Sequence, residues 1–168
     1  KALVRGKLYA SREIAPFYRE AERFEDLQRG ATCWVLNRSS TRLPLPDGSV
    51  DAVITDPPYG GNINYSELSN FWAVWLRRSL GLDGLIENVE EAIVNRYQGK
   101  GFAEYKELLA KVFGECHRAL KPDGWLVVTF HSAEARAWAA LQAALGGAGF
   151  DVGEASLLYQ PPIHSYTT

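Results

Sequence analysis

"SVDAVITDPPYGGNINYSELSNFWAVWL", residues 49–76, decides how the chain is to be read. A short apolar run, Val50 to Thr55, reads as a buried strand and stops at Asp56, Pro57, Pro58 and Tyr59. Beyond this corner Ser66 is placed to cap a helix, in which Leu68, Phe71, Trp72, Trp75 and Leu76 recur at i, i+3, i+4, i+7 and i+8. That stripe is expected to face a core and to take Trp72 and Trp75 into it. The order is therefore strand, stiff corner, helix.

The same alternation extends outward. Residues 11–29 read as a helix, with Ser11 as cap, Pro16 near the first turn and Gly30 as stop. "ATCWVL" at 31–36 reads as a strand and "LPLPDG" at 43–48 as a turn-rich connection. A polar span over about 81–101 leaves room for a mobile loop before a second amphipathic helix carrying Leu108, Leu109, Val112, Phe113 and Cys116. "LKPDG" at 120–124 is expected to end that helix and "WLVVTF" at 125–130 to form a buried strand with Trp125 in the core. Residues 133–146 read as a further helix closed by "GGAGF", and "DVGEASLLY" at 151–159 as a last strand. Continuous apolar strands alternating with helices predict an α/β fold with a mostly parallel sheet covered on both faces. In such sheets ligands sit at the carboxyl ends of the strands, where Asp56 to Tyr59 lie.

Composition limits the possible functions. With 168 residues, 46% hydrophobic and 23% charged, the chain can build one domain with a core. No apolar run is long enough to cross a bilayer and no signal-peptide pattern opens the chain, so a cytoplasmic location without a membrane partner is expected. A net charge of −2 gives no global basic footprint for nucleic acid and leaves a local one open. Cys33 and Cys116 lie far apart without CxxC spacing, so two reduced thiols and no metal site are expected. The chain opens on Lys1 and contains no Met, as expected of an interior piece of a longer protein.

The corner itself carries the chemistry. Asp56 and Pro57 each precede a proline and are restricted to extended backbone. The Pro57 carbonyl has no helical donor and lies beside the Asp56 carboxylate, so the segment offers two fixed acceptors, a match for an NH₂ group with two hydrogens. Tyr59 adds a ring for stacking. An exocyclic amine on a planar heterocycle, a nucleobase swung out of its stack, fits this set. "DPPYG" is also simple turn chemistry, but the buried strand before it and the aromatic-striped helix after it favour a site. His131, near a strand's carboxyl end, has no carboxylate or serine nearby in sequence and reads as a hydrogen-bonded structural histidine. Cys116 and His117 are adjacent on a helix and point to different faces.

"DPPY" at 56–59 resembles the catalytic motif of the S-adenosylmethionine-dependent amino-methyltransferases, above all the DNA adenine-N6 methylases. "LPLPDGSVDAVITDPPYGGNINYSELSNFWAVWLRR" at 43–78 and "LKPDGWLVVTFHSAEARAWAALQAALGGAGFDV" at 120–152 resemble the catalytic half of large prokaryotic adenine-specific DNA methylases, over about residues 35 to 160. The resemblance implies a Rossmann-like class I methyltransferase fold, present in part as its C-terminal strands with flanking helices. Residues 1–168 would then be a single incomplete domain, with 1–30 a helical lead-in and 31–160 the catalytic half. It implies direct methyl transfer from S-adenosylmethionine to the N6 amine of adenine in DNA, with Asp56, Pro57, Pro58 and Tyr59 catalytic. Asn62 and Tyr65 would contact the base, and Asp56 would also border the cofactor. Ser39 is the position matching the cofactor-adjacent end of the third strand. The family's FxGxG cofactor turn is absent, so the expected partners are DNA and either the rest of the same domain or a partner chain. Three alternatives stay open: N4 methylation of DNA cytosine, whose enzymes usually carry Ser in place of Asp56; N2 methylation of RNA guanine, where DPPY also occurs; and a non-catalytic fragment that binds DNA or a partner.

Overall fold

The computed structural model describes residues 10–81 and 90–153. Within them the chain forms α1 (Phe24–Gln28), β1 (Val50–Thr55), α2 (Tyr65–Leu80), α3 (Phe102–Ala119), β2 (Leu120–Val128) and α4 (Ala135–Gly147), an α/β arrangement. β1 and β2 pair in parallel, with Ala52 opposite Trp125, Val53 opposite Leu126, Ile54 opposite Val127 and Thr55 opposite Val128. The register slips between Val50 and Ala52, because Val50 pairs with Leu120 and the Lys121–Gly124 part of β2 bulges out between the two pairings. β1 ends where proline begins, since Pro57 and Pro58 have no N–H to donate to a ladder.

The core lies between α3 and α4. Tyr105, Leu109 and Phe113, spaced four apart, form one buried stripe that meets Ala140, Leu141, Ala144 and Leu145. The alanines of α4 let the two helices approach closely, and Leu126, Val128 and Phe130 pack against the cluster from the strand side. Arg118 in the last turn of α3 fixes the 43–48 connection: its guanidinium donates to the Leu45 carbonyl at 2.8 Å, to the Leu43 carbonyl at 3.2 Å and to the carboxylates of Glu115 and Asp47. Gly48 N–H to the Arg118 carbonyl (2.9 Å) and Ser49 N–H to the Ala119 carbonyl (2.8 Å) then deliver the chain into β1 beside β2.

Several expectations need correction. The helix expected over 11–29 is interrupted: a π turn at Ala10–Ile14 and a 3-10 turn at Ala15–Phe17 precede the five-residue α1. Pro16 removes a donor, and the backbone beyond it is taken up across the chain, with Thr32 N–H bonding the Arg19 carbonyl and Ala21 N–H the Cys33 carbonyl, both at 2.8 Å. "ATCWVL" contributes one isolated bridge, Cys33 to Glu20, rather than a strand. Ser66 lies inside α2 instead of capping it, because its hydroxyl and its N–H are both drawn to Glu91. "LKPDG" belongs to β2, and β2 ends at Val128. Residues 151–153 form no strand, and the remainder of that expected strand lies outside the described residues.

The aromatic stripe of α2 is the largest correction. Trp72 is 62% exposed and Trp75 73%, with Leu68 and Phe71 similarly open, and Trp125 on β2 is 72% exposed. The face that does turn inward carries Ser66 and Ala73, both buried, with Asn70 between them. Periodicity identifies a face that requires cover; it does not say whether the cover lies in the same stretch of chain. Among the described elements the sheet has two strands, and none packs across this stripe.

Candidate functional site

Tyr59 sits one helical turn's distance in sequence from Asp56 and donates its hydroxyl hydrogen to Asp56 Oδ1 at 2.6 Å. Pro57 is buried while Asp56 is exposed, so the corner holds a carboxylate outward on a fixed base. The Pro58 carbonyl accepts from the Tyr105 hydroxyl at 2.6 Å and from Gly60 N–H at 3.2 Å. No described residue donates to the Pro57 carbonyl. The Tyr59 ring meets the edge of Phe130 at 5.1 Å, and Phe130 meets Trp138 at 4.9 Å, so an aromatic series from the end of β2 and the start of α4 sets the ring's angle. The hydrogen bond to Asp56, followed by desolvation, holds the Tyr59 phenol above its ordinary range. The neutral phenol is the favoured form, so this contact is intact below pH ~10 and is lost as the pH rises through the higher folded value.

The chain leaves the corner under close control. Val94 N–H donates to the Gly60 carbonyl at 3.1 Å, and a Cβ at Gly61 would stand 2.7 Å from the Val94 carbonyl oxygen. Residues 90–101, expected as part of a mobile loop, thus form a fitted insert; residues 82–89 of that span lie outside the described residues. Ile93 is fully buried, and Glu91, Asn95 and Lys100 are buried polar residues. Glu91 accepts from the Ser66 hydroxyl (2.6 Å) and from Ser66 N–H (3.1 Å); Lys100 Nζ donates to the Glu91 carbonyl (3.1 Å) and Asn95 Nδ2 to Glu67 (2.8 Å). Gly61→Ala should force the insert off the corner and destabilise the protein by about 1–3 kcal/mol. Hydrogen exchange should show the Val94 amide losing its protection; unchanged exchange there would mean the two segments are not coupled.

The family model for DNA methylases acting at N6 and N4 matches residues 50–157. The chain belongs to this DNA methylase family. The match begins at β1 and contains Asp56 to Tyr59, the insert, both long helices that form the core and β2. Members methylate the N6 amine of adenine or the N4 amine of cytosine in DNA, and the family normally uses S-adenosylmethionine. No curated protein and no solved structure matches the chain.

In this member of the family the other residues singled out from sequence fall in different places. Asn62 is exposed on the return from the corner and lines a groove of about 530 Å³ with Asn64, Tyr97 and Arg136. Tyr65, half exposed, opens α2 and adds to the field on the Tyr59 phenol. Ser39 lies in a turn, its hydroxyl 2.8 Å from that of Thr41, and makes no described contact with the corner. His131 is exposed and no described residue bonds its ring, so the structural hydrogen bond expected for it is absent there. Cys116 is buried, which pushes its thiol up, and His117 meets the edge of Phe150 at 5.1 Å. Tyr105, Phe130 and Trp138 were missed by sequence reasoning. The Tyr105 contact spans 47 residues of chain, and no local pattern signals it.

The cofactor fits these residues only in part. Gly149, at φ 91°, stops α4 with a Cβ position 3.3 Å from the His117 ring, so the "GGAG" stretch serves as a helix stop. Among the described residues no FxGxG turn follows a strand, the Gly60–Gly61 turn coming after the Asp56–Tyr59 corner, and they do not by themselves make a site for S-adenosylmethionine. Among the described residues no helix is long and apolar enough to cross a membrane.

Proposed function

We propose that this domain methylates the N6 amine of adenine in DNA, with S-adenosylmethionine as donor and Asp56, Pro57, Pro58 and Tyr59 as the catalytic corner. One observation carries the reading: at the carboxyl end of β1 the exposed Asp56 carboxylate, held by the Tyr59 hydroxyl, is followed in sequence by a Pro57 carbonyl to which no described residue donates, on a base fixed by buried Pro57 and by Tyr105. An aromatic amine is a poor nucleophile because its lone pair is delocalised into the ring. Two acceptors that take its two hydrogens favour a pyramidal nitrogen and turn the lone pair outward, which is a matter of positioning and electrostatics. Asp56 is also the nearest acceptor for the proton the nitrogen sheds. Aspartate at this position favours adenine, since the cytosine-N4 enzymes that the motif resembles usually carry serine there. Asn62 and Tyr65, flanking the corner, are proposed to border the base. Replacing every adenine of a duplex substrate by 2′-deoxynebularine, which lacks the amine, should abolish uptake of labelled methyl; undiminished uptake would refute adenine as the target.

The exposed stripe supports a second element of the proposal, that residues 31–160 are the catalytic half of a larger Rossmann-like sheet. Leu68, Phe71, Trp72 and Trp75 on α2, and Ile54 and Trp125 on the strands, leave large apolar side chains open to water, the kind of surface that marks an interaction site. The rest of the domain, including the cofactor turn, would cover it. Residues 1–168 produced alone should therefore self-associate with rising concentration in sedimentation velocity, and Trp72→Glu with Trp75→Glu should suppress it. A monomer across the whole range would contradict this.

A further inference from the structure

The insert over residues 90–101 displays one aromatic ring without cover. Tyr97 is 97% exposed, at the centre of the 3-10 turn Arg96–Gln98. The turn beneath it is rigidly built. Asn95, itself buried, accepts from Tyr97 N–H at 3.0 Å and from Gln98 N–H at 3.3 Å, and Asn95 and Lys100 close the base of the turn with paired backbone bonds of 2.9 Å. The anchors described above tie that base to α2 and, through Val94 and Gly60, to the catalytic corner. The backbone that carries this ring is fixed, so the fold sets the ring's place beside the groove while leaving it open to water.

Its surroundings point to the occupant. Tyr97 and Arg96 line the groove that also holds Asn62 and Arg136, next to Gly61 on the corner's return. The Arg96 guanidinium makes no ion pair or hydrogen bond among the described residues. Arg136 lies over the Phe102 ring at 4.8 Å and bonds Glu134, also on the groove wall, at 2.7 Å, so Arg96 is the cation left to meet an anion there. About 530 Å³ is room for a nucleotide, and the groove is lined from Gly61, two residues past the corner in sequence.

We infer that the Arg96–Gln98 turn is a DNA-contacting element in which Tyr97 stacks on the base step left open when the target nucleotide is extruded, while Arg96 neutralises a flanking phosphate. The inference rests on the DNA amino-methylation proposed above and adds to it a positioning residue outside the corner. Stacking on an aromatic ring is tolerant of base identity and strong enough to offset part of the unstacking that extrusion requires.

The test uses the full-length protein and two DNA substrates, a duplex that the parent methylates and the same duplex with an abasic site opposite the target, where no base pair has to be broken and extrusion costs less. Because Tyr97 is exposed, Tyr97→Ala leaves the fold untouched. It should lower kcat/KM on the intact duplex about tenfold or more, lose much less on the abasic duplex, and be restored by Tyr97→Trp. Arg96→Ala should weaken binding and reduce the salt slope by about one. Parent-like kinetics of Tyr97→Ala on the intact duplex, or equal losses on both substrates, would overturn the stacking role while leaving the corner's role in place. Asp56→Ala failing on both substrates alongside such a result would show that only the inference had failed. Failure to find any duplex DNA that the parent protein methylates would remove the reading and the inference together.

Discussion

Asp56→Ala should lower the single-turnover rate of methyl transfer by roughly 10²- to 10⁴-fold, the range that a positioned proton acceptor contributes. The side chain is exposed at the end of β1 and its described partner is the Tyr59 hydroxyl, so its removal takes away chemistry and leaves packing alone. Unfolding by urea should be nearly unchanged, which separates this loss from damage to the fold. Tyr59→Phe is the informative neighbour. It keeps the ring against Phe130 and releases the carboxylate from its 2.6 Å bond, so it should lose less than about tenfold in rate. Tyr59→Ala should lose more, since it also removes the ring. Full activity in Asp56→Ala would end the catalytic role assigned to this carboxylate.

Phe113→Ala should destabilise the protein by about 3–5 kcal/mol, a large share of the stability of an ordinary domain. Phe113 is completely buried at the meeting of α3 and α4, among Leu109, Leu141, Ala144 and Leu145, and the alanines around it cannot collapse into the space it vacates. The same cluster carries Tyr105, whose hydroxyl holds the Pro58 carbonyl, so loosening the core also loosens the Asp56–Tyr59 corner. Urea midpoints give the measurement. Phe113→Leu should cost much less, and a loss below about 1 kcal/mol in Phe113→Ala would mean that this cluster does not hold the helix pair.

How far the sequence could be read depended on the range of the interactions. β1 stands where its β-branched run and the following prolines place it, and α3 and α4 follow from local periodicity, with Leu109, Phe113 and Cys116 buried as their spacing requires. The corner was visible because its stiffness is local, a property of proline and of the residue before it. The insert was not, because what orders it joins residues far apart in sequence: Glu91 reaches Ser66 across 25 residues and Asn95 reaches Glu67 across 28. A polar stretch with such partners looks like any solvated loop until the partners are known. The N-terminal helix failed for a related reason, since pairing between Arg19–Ala21 and Thr32–Cys33 outweighed a modest local preference. Trp72, Trp75 and Trp125 show the opposite limit: periodicity places them in a core, yet all three stand open to water, because spacing along one helix or strand says nothing about which element packs against it.

The most direct test of the central claim is the identity of the product. Full-length protein, S-adenosylmethionine carrying a labelled methyl group and double-stranded DNA should yield, after digestion to nucleosides and mass spectrometry, labelled N6-methyladenine that disappears with Asp56→Ala. Label in N4-methylcytosine, or no label in DNA from a protein shown to bind the cofactor, would contradict the account.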